Sequence, residues 1–322
     1  MKICELDTGA PETVRLVTQV WTAACGPDLA ITERFARFNL EPAAGTELAG
    51  CVALHEGSPA GFVLASVTLH DVAGLQHPSG WIEALAVLPE YQRQGVGSSL
   101  LEWAQTWLAQ RGCTSLRLGG GLRPFVPGLP VQLDREAFFR RYGFQPAQTE
   151  SVVWDMAGLL DRYRPPDALK DLAVSVRPLQ AGEEPELDAF LAREFPGRWR
   201  YEFQEHLRQN GRPEDYLLLW TSRGVDGFCQ ITLEDSLRPL DRFYMHGLPR
   251  PWGQLGPIGI SAGCRGQGLG TALIDVALRF LRERGTAACI IDWTHLRTYY
   301  EKFGFYAHRQ YLILYKELIR RA

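Results

Sequence analysis

Two glycine-bearing segments hold the residues best suited to chemistry. One reads Gln92-Arg93-Gln94-Gly95-Val96-Gly97-Ser98, the other Arg265-Gly266-Gln267-Gly268-Leu269-Gly270-Thr271. Both open an amphipathic run. A turn of small residues at a helix start gathers backbone N–H groups in one concavity, and the helix N-terminus adds partial positive charge. With no Cβ at Gly95, Gly97, Gly266, Gly268 and Gly270, an anion can approach the backbone closely. The chemistry expected is the grip of a phosphate or pyrophosphate. A tight strand–helix connection uses the same residue types, so a single copy decides little. A Rossmann turn fails because Leu100 and Leu273 stand where the third glycine belongs, and no Gly-Lys-Ser/Thr closes either turn as a nucleotide P-loop requires.

The elements around the turns repeat as well. Residues 87–100 align with 260–273 at a constant offset of 173. Val96, Ser99, Leu100, Trp103, Ala104, Trp107 and Leu108 share a helical face, as do Leu269, Ala272, Leu273, Val276, Ala277, Phe280 and Leu281. Gly112 and Gly285 are positioned to end the two helices. Apolar runs at 113–118 and 288–293 read as strands, so each copy contains a parallel strand–turn–helix–strand unit. Further on, residues 138–144 match 299–305 at an offset of 161. The first copy therefore holds 12 extra residues, placed at the Gly- and Pro-rich stretch 119–130 and expected as a surface loop.

Length and composition bound the rest. A chain of 322 residues supports two cores of about 150 residues each. With 46% hydrophobic and 22% charged residues and a net charge of −3, no basic excess points to nucleic acid. No apolar run reaches the ~18 residues of a membrane span. The N-terminus lacks an apolar signal core and reads as a first strand. Seven scattered cysteines without a C-x-x-C pair fit reduced thiols in a cytoplasmic protein with no metal site. The expected division is 1–158, a linker at 159–172 containing Arg164-Pro165-Pro166-Asp167, and 173–322. Residues 151–156 read as the closing strand of the first domain and 174–179 as the opening strand of the second. Helical segments are expected near 12–24 and 184–210, and further strands at 50–55, 61–69, 216–221 and 227–233.

The run Val87-x-x-x-x-Gln92-x-x-Gly95-x-Gly97, its twin Ile260-x-x-x-x-Arg265-x-x-Gly268-x-Gly270, and the later Tyr300-x-x-x-Gly304-Phe305 resemble the GNAT superfamily of acyl-CoA-dependent N-acyltransferases. The resemblance covers nearly the whole chain as two tandem copies. It implies an α/β fold of the mixed-sheet α+β kind: two GNAT-like domains, each a mostly antiparallel sheet with one parallel βαβ unit and helices on both faces. It implies that acetyl-CoA or coenzyme A binds with its pyrophosphate at Gln92, Arg93, Gln94, Gly95, Val96, Gly97 and Ser98, and at Arg265, Gly266, Gln267, Gly268, Leu269, Gly270 and Thr271. Leu85, Ala86 and Val87, and Ile258, Gly259 and Ile260, would pair with the pantetheine and polarise the thioester carbonyl.

In such a family an amine attacks the thioester directly and a tyrosine gives the departing thiolate its proton. The matching residue is Tyr300; its twin, Phe139, has no proton to give. Glu83 stands where many members carry a carboxylate base, and a rim ion pair is an equal reading of it. Residues 254–257 offer no carboxylate, which leaves Asp292, His295, Glu234 and Asp235 as local bases, or a water chain. Trp199 and Trp252 are candidates for an acceptor cleft. Two functions stay open: an N-acetyltransferase acting on a primary amine of a small molecule or protein, mainly through the C-terminal copy, or a non-catalytic acyl-CoA-binding protein. No nucleic acid or membrane partner is expected. A monomer is expected, because the duplication mimics a dimer.

Overall fold

The structure is a computed structural model that describes residues 1–165, 175–242 and 245–318. Of the expected linker, residues 166–172 lie outside this part. In chain order come Lys2–Glu5 (β1), Pro11–Cys25 (α1), Glu33–Leu40 (α2), Thr46–His55 (β2), Ser58–Thr68 (β3) and Gly80–Val87 (β4). Then follow Val96–Gln110 (α3), Ser115–Leu118 (β5), Leu129–Pro130 (β6), Glu136–Arg141 (α4), Gln145–Pro146 (β7) and Val152–Leu159 (β8). The second half has Ser175–Pro178 (β9), Glu184–Glu194 (α5), Arg198–Arg208 (α6), Tyr216–Thr221 (β10), Gly224–Leu233 (β11) and Trp252–Ile260 (β12). It ends with Leu269–Glu283 (α7), Ala288–Thr294 (β13), Arg297–Glu301 (α8), Tyr306–Leu312 (β14) and Leu314–Glu317 (β15).

Local signals explain the helix limits. Pro11 starts α1, and the Thr32 hydroxyl accepts the Phe35 N–H to cap α2. Both long helices stop at the expected glycines, with φ 83° at Gly112 and 80° at Gly285. There Cys113 N–H bonds Leu108 O and Thr286 N–H bonds Leu281 O, the same closure twice.

The chain forms two compact units. The first comprises Met1–Val153, Asp241–His246 and Arg309–Ala322, and its sheet runs β1-β2-β3-β4-β5-β15-β7. Only β4 and β5 pair in parallel there. The second comprises Trp154–Leu240 and Gly247–His308, with strand order β8-β13-β12-β11-β10-β9 and one parallel pair, β12 with β13. Each is thus a mixed, mostly antiparallel sheet with one parallel βαβ unit, as expected. In the second, Leu217, Leu219, Cys229 and Ile231 face Leu273, Ala277 and Leu281 of α7, whereas Tyr216, Leu218 and Phe228 face Leu187, Phe190 and Phe203 of α5 and α6. Helices cover both faces of the sheet, as the alternation of strand side chains demands.

Two expectations need correction. The strand expected to close the first domain does not: from Trp154 onward it pairs with β13, Met156 opposite Ile291 and Leu159 opposite Ala288. Its place in the first sheet goes to β15, where Tyr315 faces Arg117 and Leu314 faces Pro146. The compact units therefore do not follow a contiguous cut near 158–173. Alternation marks a segment as strand without naming its partner.

The 12-residue stretch 119–130 is no surface loop either, since all of it but Arg123 is buried. The Phe125 ring packs on Trp21 and Phe35, with centroids 6.0 and 5.5 Å away. Its glycines serve close approach: a Cβ at Gly121 would lie 1.7 Å from Glu83 Oε1, and one at Gly128 2.6 Å from Leu312 O. Among the described residues, no helix is long and apolar enough to cross a membrane.

Candidate active site

Both copies open a cleft by the same device. β3 and β4 slip register between Leu64 and Ala65, leaving Glu83 as an extra residue on β4. β11 and β12 slip between Cys229 and Ile231, opposite Gly256 and Pro257. A bulge bends its strand out of the ladder. Accordingly the parallel pairing ends at Ile82 with Leu118 and at Gln254 with Ile290. Past those points Leu85, Ala86 and Val87, and Ile258, Gly259 and Ile260, have no parallel strand partner among the described residues. Their open edge can pair with an extended ligand.

At the strand ends the backbone enters the left-handed region twice: at Arg93 (φ 63°) and Gly95 (85°), and at Gly266 (76°) and Gly268 (80°). The two turns match residue for residue at the offset of 173. Helices α3 and α7 follow with no side-chain cap, so the N–H groups of Val96, Gly97 and Ser98, and of Leu269, Gly270 and Thr271, have no intrahelical acceptor. A Cβ at Gly95 or Gly266 would meet nothing within 4 Å. These open, amide-lined cradles fit a pyrophosphate. At three of the expected positions the side chain braces the turn: Gln92 Nε2 bonds Val87 O (3.0 Å), Gln94 Nε2 bonds Glu90 O (2.7 Å) and Gln267 Nε2 bonds Gly263 O (3.2 Å). Arg265 is exposed at the rim.

The second cleft gathers polar groups. Gln254 Nε2 donates to Asp292 Oδ1 at 2.7 Å. A Cβ at Gly256 would lie 3.9 Å from that same oxygen. Gly256 is the twin of Glu83. The carboxylate missing from β12 is thus supplied from β13, across the divergence and beside the bulge. Tyr300 is buried among Cys229, Phe303 and Phe305. Burial, and then the neighbouring Cys229, Tyr299 and Asp292, push its phenol well above the usual value, so it stays protonated. Tyr299 reaches the turn, its hydroxyl 3.2 Å from where a Gly270 Cβ would stand.

The first copy differs at the same two positions. Phe139 is buried where Tyr300 has its twin position, and Phe138 lies over Gly97 as Tyr299 lies over Gly270. Glu83 is only 2% exposed; it accepts the Ser66 hydroxyl at 2.5 Å and is covered by Gly121.

The other candidates lie elsewhere. Glu234 binds Arg250 and the Trp252 N–H, Asp235 binds Arg212, and His295 is exposed. The Trp252 indole donates to Leu248 O under Arg250, and Trp199 packs on Phe195 and Phe228. Cys264 is buried, desolvation being the main cause that raises its thiol pKa. Sequence reasoning treated Gln254 only as a position without a carboxylate and missed its amide as the partner of Asp292.

The sequence profile of the acetyltransferase (GNAT) family matches residues 16–123 and 185–305, one match on each copy. The chain belongs to this family. Among curated GNAT relatives it is 25% identical over 264 residues to a mycothiol acetyltransferase of Catenulispora acidiphila, covering 77% of this chain and 76% of that one. Solved structures share the fold across 98% of the chain. One is the GCN5-related glucosamine N-acetyltransferase region of a fungal multi-domain GH3 β-N-acetylglucosaminidase (TM-score 0.86, 24% identity), of which this chain spans 38%. Another is a tandem GNAT protein from the clavulanic acid biosynthesis pathway (TM-score 0.71, 15% identity), of which it spans 98%. The tandem GNAT architecture is therefore shared with the second of these across 98% of the chain.

Proposed function

We propose that the protein is an acetyl-CoA-dependent N-acetyltransferase that acetylates a primary amine in its second cleft, in a ternary complex. The observation that carries this is the convergence, beside one amide-lined turn, of an open strand edge, the Asp292 carboxylate held by Gln254, and the buried Tyr300 phenol. Mycothiol acetyltransferases among the relatives support an acyl-transfer reading.

Bound acetyl-CoA would supply an activated acyl thioester. The amide groups of Leu269, Gly270 and Thr271 would hold its pyrophosphate, and the open edge at Ile258, Gly259 and Ile260 would pair with its pantetheine and polarise its carbonyl. Asp292, oriented by Gln254, accepts the proton of the attacking amine. Tyr300 would give its proton to the departing sulfur, so that coenzyme A, a thiol of pKa about 8.5, leaves neutral and not as a free thiolate. The first copy retains the turn and lacks both groups in an open cleft; it contributes cofactor binding or scaffold without turnover. Incubating the protein with acetyl-CoA and a panel of primary amines tests the reading. An acetylated amine by mass spectrometry, with matched thiol release, is expected. Cofactor binding with no amine acetylated would leave the acyl-CoA-binding reading in its place.

A further inference from the structure

The segment leading into the second turn is held by charged groups that the first turn lacks. Arg223 stands in the hairpin between β10 and β11. Its Nε lies 3.1 Å from Asp226 Oδ2 and its Nη2 2.7 Å from Oδ1, a two-point ion pair. Asp226 is buried and also accepts the hydroxyls of Thr221 and Ser261, the latter at 2.7 Å. Arg223 Nη2 reaches Cys264 Sγ at 2.6 Å, and a Cβ at Gly263 would lie 3.6 Å from Nη1. The Gly263 carbonyl in turn accepts from Gln267 of the turn itself. The guanidinium therefore lies against the residues that lead into the cradle, and its Nη1 makes no hydrogen bond among the described residues. The side chain stays 57% exposed, open to a ligand.

The duplication supplies an internal control. Gly61 opposes Val87 as Gly227 opposes Ile260, so Ala60 is the twin of Asp226 and Gly57 the twin of Arg223. The backbone bond from Leu88 N–H to Ala60 O recurs from Ser261 N–H to Asp226 O, both at 2.9 Å. The first copy forms the same hairpin, lead-in and turn without either charge, so folding does not require them. An arginine fixed by a buried carboxylate gives up little freedom on binding and offers its outer N–H groups to an oxyanion. Within the acetyl-CoA reading of this cleft, on which the inference rests, the amides of Leu269, Gly270 and Thr271 are taken by pyrophosphate. The donor's remaining anionic group is the phosphomonoester on its ribose, with about two negative charges at neutral pH. We propose that Arg223 recognises this 3′-phosphate, with Asp226 as its positioning residue, and that the second copy thereby selects coenzyme A thioesters over their 3′-dephospho forms.

The test titrates coenzyme A and 3′-dephospho-coenzyme A by calorimetry into protein carrying Gly95→Asp, which blocks the first cradle by charge. The same titrations follow with Arg223→Gln, Arg223→Lys or Asp226→Asn added. Both ligands are compared on one protein, so a change in stability cancels from the ratio of their Kd values. The parent should prefer coenzyme A by about tenfold or more. Arg223→Gln should reduce the preference to about twofold or less by weakening coenzyme A alone. Arg223→Lys, which keeps the charge and loses the fork, and Asp226→Asn, which frees the guanidinium, should each fall between these values. A parent that binds the two ligands equally overturns the proposal. So does Arg223→Gln if it weakens both ligands by the same factor, which would place the guanidinium on the pyrophosphate, or if it weakens neither. Binding of neither ligand to the parent overturns the coenzyme A reading of the second cleft itself.

Discussion

In the proposed reaction Tyr300 and Asp292 divide the proton transfers between them, and each would leave its own kinetic mark. Tyr300→Phe removes the donor to sulfur without touching the phosphate cradle; kcat should fall about 10²-fold while the Kd for coenzyme A by calorimetry stays near wild type. Full turnover in that variant would show the phenol to be core packing. Asp292→Asn keeps the shape and the contact with Gln254 but loses the base, and should lower kcat about 10²-fold with partial recovery at high pH, where more of the amine is already neutral. Because burial raises the Tyr300 pKa, its acid form persists above pH 10, and the wild-type rate should show no decline from phenol ionisation below that point. Tyr300 was legible from its seven-residue landmark. Asp292 emerged only by elimination, because Gly256 in place of Glu83 says that a carboxylate is gone and not where another enters.

Elements were legible to the extent that their signals were local. Both turns, both helices behind them and both closing glycines stand where the residue spacing puts them, since φ > 0, capping and helical period are decided within a few residues. The stretch 119–130 shows the opposite case. Gly and Pro mark irregular backbone, but burial of that backbone depends on Trp21, Phe35 and Glu83, far away in sequence. Strand β15 is a second such case. Leu314 is fully buried in the core of the first unit. Leu314→Ala should therefore destabilise that unit by about 2–5 kcal/mol in denaturant unfolding. A loss well under 1 kcal/mol would argue against its place between β5 and β7.

At the scale of the whole chain, the duplication was readable and its asymmetry only partly so. Two turns at a constant offset declared the tandem plan, and Phe139 against Tyr300 declared that the copies had diverged. The sealing of Glu83 and the exchanged strands β8 and β15 are non-local, and no spacing announces them. The account's central claim is that chemistry belongs to the second copy. Its most direct test uses the twin substitutions Gly95→Asp and Gly268→Asp, which place a carboxylate in equivalent left-handed positions of the two cradles. Asp tolerates that backbone, so like-charge repulsion of the pyrophosphate is the main effect in each. Steady-state kcat/KM for acetyl-CoA is measured for both with one acceptor. The account predicts a fall of about 10²-fold for Gly268→Asp and of no more than about threefold for Gly95→Asp. The reverse order, in folded variants, would contradict it.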